Sequence, residues 1–81
     1  SHLQGEDEAA LVRDVRRLEA IYADMEELIR IGAYTSGADA TTDRAIRLHE
    51  GLSEFLTQSD TDLTSPDAVV DGLRSIYEAS A

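Results

Sequence analysis

The chain has 81 residues, 17 acidic and 7 basic, with a net charge of −10 and no cysteine. That length holds one small domain, and the acidic balance excludes the basic footprint that nucleic acid or an anionic membrane surface requires. The missing thiols exclude disulfides, thiol catalysis and thiolate metal sites. All seven basic residues are arginines. No apolar run approaches the roughly 20 residues of a transmembrane segment, and no signal-peptide pattern is legible.

Ser1-His2 reads as a cloning remnant, and residues 1–5 are expected to form a disordered start. A helical stripe follows: Leu11, Val15, Leu18, Tyr22, Met25 and Ile29 recur at gaps of three and four, widened by Ile21 and Leu28. Glu6, Asp7 and Glu8 suit the positive end of the helix dipole, and Glu26 and Glu27 reach Arg30 at supporting spacings. The pattern predicts one helix over 7–31, about 24 residues and roughly 36 Å long. Gly32 stands where a left-handed cap ends such a helix, and Asp39 is a good cap for the next, with Thr41 and Thr42 as alternatives. The second helix, over 40–58, carries Ala45, Leu48, His49, Leu52, Phe55 and Leu56 on one face. Gly51 lies inside it, at a cost of up to about 1 kcal/mol, and permits a bend or a close helix contact. A polar connector spans 57–64. Ser65-Pro66 then opens a third helix over 66–78, with Val69, Val70, Leu73, Ile76 and Tyr77 inward. The fold class is all-α, a small bundle of three helices with the first the longest.

The glycine-rich loop invites a phosphate reading that its residues refuse. Gly32 and Gly37 have the glycine spacing of a Walker A loop. The lysine is absent, Asp39 would repel phosphate, and no strand leads in. The two histidines, His2 and His49, are far apart in sequence; His49 reads as a packed or half-exposed side chain, and no metal site is expected. Ser36, Ser53 and Ser65 have no visible base, so no catalytic residue is assigned. Tyr22 and Tyr77 lie on apolar stripes and read as core. Tyr34 lies in the loop, where it either folds back under the helix ends or presents its ring to a partner.

The order of short motifs identifies a family. Residues 25–34 (MEELIRIGAY), Gly37-Ala38-Asp39-Ala40, Asp43-Arg44-Ala45-Ile46 and Phe55-Leu56-Thr57-Gln58 follow one another as in the C-terminal region of flagellar and type III secretion export ATPases, which are similar to the catalytic subunit of rotary ATP synthases. The resemblance covers residues 10–58 closely and 65–78 in pattern. Ala40 stands where the family often has proline, and Gly51 where it often has proline or another residue, which implies a looser second helix.

The resemblance implies a parent with ATP and Mg in a P-loop nucleotide domain outside this segment, and no catalysis by the segment alone. It implies a homo-hexamer, a cytoplasmic location peripheral to the inner-membrane export apparatus, and three partners. These are the nucleotide domain of the same chain, a central stalk coiled-coil protein, and export chaperone–substrate complexes. Carried over by position, Phe55 is the aromatic near the adenine of ATP. Gly32, Tyr34, Thr35, Ser36, Gly37 and Asp39 form the partner-facing tip. Two other readings stand beside this one: a free-standing acidic helical adaptor, and the matching domain of a rotary catalytic subunit. On the leading reading, the first helix also has an apolar face that packs on the nucleotide domain.

Overall fold

The computed structural model describes residues 3–58 and 66–81. Ser1-His2, the Ser65 cap and residues 59–64 of the connector lie outside them. Three helices make up the described residues: α1 (Leu3–Arg30), α2 (Ala40–Gln58) and α3 (Pro66–Ala79). The expected all-α bundle is therefore present. α1 begins at Leu3 rather than at residue 7. Gly5 is the one poor helix former before Glu6, and about 1 kcal/mol is too little to end a helix that already runs for many turns. α2 spans the expected 40–58, so Thr57 and Gln58, where the expected helix and connector overlapped, belong to its last turn. Pro66 opens α3 as expected, its fixed φ suiting the first helical position.

The core forms where α1 and α2 cross. Leu18 is 1% exposed and Leu48 0%, with Leu11, Val15 and Ala45 also buried around them. Full burial of a leucine contributes about 1.5–3 kcal/mol. α3 adds half-buried Val70, Leu73, Ile76 and Tyr77 to the same cluster. The apolar stripe of α1 is thus covered by its own domain over most of its length. His49 is half-buried beside the core. Its ring stacks on Tyr22 at 3.8 Å, and its Nδ1 lies 3.2 Å from both carboxylate oxygens of Glu19.

α2 and α3 approach closely because each offers a glycine. A Cβ on Gly51 would come within 2.7 Å of Ile76 Cγ2, and one on Gly72 within 2.5 Å of Phe55 Cε1. Each glycine receives a large side chain from the facing helix. α2 runs unbroken through Gly51. Its glycine therefore serves the close contact, not the bend.

The C-terminal end of α3 has no basic residue in its last turn, and α2 supplies the missing donors. Arg44 Nη2 donates to the Tyr77 carbonyl and its Nε to Ser80 Oγ, both at 3.1 Å. Arg47 Nε donates to the Ser80 carbonyl at 2.9 Å. The Arg44 guanidinium also lies 4.3 Å from the centre of the Tyr77 ring, a cation–π distance. Tyr77 Oη in turn donates to Asp14 of α1 at 3.0 Å. Free carbonyls at a helix end need such partners, and positive charge is favoured there.

Gly72→Ala should destabilise the domain by about 1–3 kcal/mol in urea melts, overpacking outweighing the gain in helix propensity. In a Phe55→Ala background the same change should become neutral or stabilising. Equal destabilisation in both backgrounds would show that the ring is not what fills the space over Gly72.

Candidate functional site

Residues 31–39 connect α1 to α2, and their geometry follows from two glycines and two aspartates. Gly32 has φ +76° and ends α1. Its N–H donates to the Ile29 carbonyl at 3.1 Å, and the Ala33 N–H donates to the Leu28 carbonyl at 2.8 Å. These are the two bonds of a Schellman cap. Gly37 has φ +91° and is the third residue of a turn closed by Ala38 N–H on the Thr35 carbonyl at 3.1 Å. A positive φ at that place is the requirement of a type II turn.

Asp39 caps α2. Its Oδ2 accepts from the Thr42 hydroxyl at 2.6 Å and from the Thr42 N–H at 2.9 Å. Those two bonds, the hydroxyl first, hold its carboxyl below the ordinary value. Asp43, one turn on, ties the loop down. Tyr34 Oη donates to Asp43 Oδ1 at 2.8 Å, and the Gly37 N–H donates to Asp43 Oδ2 at 2.9 Å. The Asp39 N–H donates back to Tyr34 Oη at 3.3 Å. Partial burial, and then the hydrogen bond to Asp43, push the Tyr34 phenol above its usual value.

Among the expected tip residues, Gly32, Thr35, Ser36, Gly37 and Asp39 are exposed. Tyr34 is half-buried, folded back to fasten the loop from beneath. Leu28 and Ile31 beside the tip are 41% and 65% exposed. Phe55 is not part of this cluster. It lies sixteen residues beyond Asp39, about 24 Å along the helix. Half-buried against Gly72, it lines a groove of about 440 Å³ between α2 and α3, with Ile76 and Gly51 on its floor and Arg47 and Glu54 on its rim.

Three roles escaped the sequence reading: Asp43 as the loop fastener, the Arg44–Arg47 pair on the end of α3, and Gly72 as the seat of Phe55. Only Asp43 left a trace there, four residues after the cap aspartate and so on the same helix face. Among the described residues no group of three or more His, Asp or Glu side chains could hold a metal ion. None of their helices is long and apolar enough to cross a membrane.

A short acidic helical bundle, opened by a long helix that ends in a Gly-Ala-Tyr loop, defines the chain as a small all-α domain packed around one core. The chain belongs to the T3SS EscN ATPase C-terminal domain family, whose model matches residues 5–75. It is 48% identical over 60 residues to the flagellum-specific ATP synthase of Caulobacter vibrioides, covering 74% of this chain and 14% of that protein. It is 52% identical over 54 residues to the flagellum-specific ATP synthase of Treponema pallidum, covering 67% of this chain and 12% of that protein. With the SPI-2 type 3 secretion system ATPase of Salmonella typhimurium it shares 39% over 62 residues, 76% of this chain and 14% of that protein. The chain thus spans only a small part of the length of these relatives. No solved structure matches it.

The depressed Asp39 carboxyl makes a signed prediction. Its stabilising effect is present above the ordinary value of 3.8 and is lost as pH falls through the lower folded value. Asp39→Asn should therefore lower the melting temperature slightly at about pH 6, by a difference that shrinks as pH falls below 3.8. A difference independent of pH would remove the carboxylate from the account. Tyr34→Phe should leave the helix content unchanged while speeding amide exchange at Gly37.

Proposed function

We propose that this chain is the C-terminal helical domain of a protein-export ATPase of the flagellar or type III secretion kind. The family match over residues 5–75 carries the reading. ATP and Mg are bound and ATP is hydrolysed in a P-loop domain elsewhere in the parent, a homo-hexamer in the cytoplasm at the inner-membrane export apparatus. This domain converts nucleotide-driven movement into altered contact with a central stalk protein and with chaperone–substrate complexes, moving as a near-rigid body.

The tip formed by Gly32, Thr35, Ser36, Gly37 and Asp39 is the surface that meets the stalk. The fastening of Tyr34 and Gly37 to Asp43 supports this, since a rigid tip transmits a push that a slack loop would absorb. The net charge of −10 favours a basic partner, reached by attraction that weakens with salt. Phe55 lies on the nucleotide side of the parent. Its open groove supports that placement, and a flat ring needs no charge to stack on adenine.

Three measurements test the reading. The reading frame upstream of Gln4 should encode a GxxxxGK(S/T) motif; a nearby start codon would favour a free-standing adaptor. In the full-length enzyme, Phe55→Ala should weaken ATP binding, and unchanged affinity with a lowered melting temperature would leave the ring only its packing role. Binding of the isolated domain to the stalk protein should weaken severalfold between 50 mM and 500 mM salt, about the change expected when charge steers association.

A further inference from the structure

The outward face of α1 is charged in a pattern that complements its own reverse. The buried residues Leu11, Val15 and Leu18 define the inner face of the helix. On the opposite side, Arg13, Ala20 and Glu27 recur every seventh residue, nearly two full turns, and all three are exposed. One flank of this line carries Arg17 and Asp24, again seven apart and exposed. The basic residues precede Ala20 and the acidic ones follow it. Arg13 and Arg17 form no ion pair with any described residue. Among the described residues Glu27 pairs with Arg30 of its own helix, at 2.7 Å, with both side chains well exposed at 74% and 62%. Such a pair is weak and readily exchanged.

We propose that this face pairs with the same face of a second copy, the two α1 helices antiparallel and related by a two-fold axis at Ala20. In that arrangement Arg13 of each copy meets Glu27 of the other, and Arg17 meets Asp24 on the same flank. The four pairs are the isologous contacts that two-fold symmetry demands. Ala20 meets its own copy on the axis, and Ala23 lies across from Arg16. Small side chains there let the helices close to the short spacing that the ion pairs need. A parallel pairing would set Arg13 against Arg13 and Glu27 against Glu27, so the charges select orientation as well as partner. Val12, 40% exposed, and Leu28, 41% exposed, flank the face on opposite sides. The proposal concerns self-association of this domain and does not rest on the export reading.

The test is sedimentation of the 81-residue chain across a wide concentration range, with two charge-reversal variants. The unaltered chain should show reversible dimer formation that weakens at least tenfold from low to high salt. Arg13→Glu with Arg17→Asp should be monomeric, and so should Asp24→Arg with Glu27→Arg. The second variant reduces the overall negative charge, so its loss of pairing cannot come from general repulsion. Mixed in equal amounts, the two variants should restore a dimer, as one then carries acidic and the other basic residues at all four pairing positions. The face used is read separately: the chain has no native cysteine, so Ala20→Cys should form a disulfide-linked dimer far faster than Glu50→Cys under the same oxidant. A strict monomer at every concentration overturns the proposal, as would be expected if this face is instead covered by the rest of a longer polypeptide. A dimer that both variants keep overturns it equally.

Discussion

The contact of Leu18 with the α2 residues Ala45 and Leu48 is the constraint on which the remaining geometry depends. A domain of this size has few fully buried side chains, and these lie at the one point where α1 and α2 cross. Fixing the crossing there sets the reach of every longer side chain around it. His49 meets Glu19 and Tyr22 on one side, and Tyr77 reaches Asp14 on the other. The last turns of α1 carry no buried residue, and the loop must fold back from them to enter α2.

Polar bonds then do what the small core cannot. The loop after α1 and the end of α3 are held by side chains of α2, not by their own residues alone. Asp43 holds the loop after α1, and two arginines of α2 hold the end of α3. Among the described residues, every buried side-chain nitrogen or oxygen has a partner. In a marginal domain that matters, since one orphaned polar group costs about as much as a buried methyl group contributes.

The helices were legible because each carries its own pattern. The threes and fours of α1, the glycine after Ile31, the aspartate before Ala40 and the proline at the head of α3 are local signals with local causes. The ties between helices were not legible, because they depend on the crossing. Nothing in the order of residues says that Arg44 reaches Ser80, or that Phe55 rests on Gly72. Gly51 shows the limit well. From sequence it reads equally as a bend or a close approach, and only the position of Ile76 decides. Tyr34 likewise had two readings, and a carboxylate nine residues away selects the inward one for its hydroxyl.

Asp43 and Arg44 are neighbours in the chain, and their side chains grip opposite parts of the fold. One holds the loop through Tyr34 and Gly37; the other holds the end of α3 through Tyr77 and Ser80. A single peptide unit therefore acts as a crankpin between them. Rolling α2 about its axis would draw on both grips at once, so the loop and the end of α3 turn together.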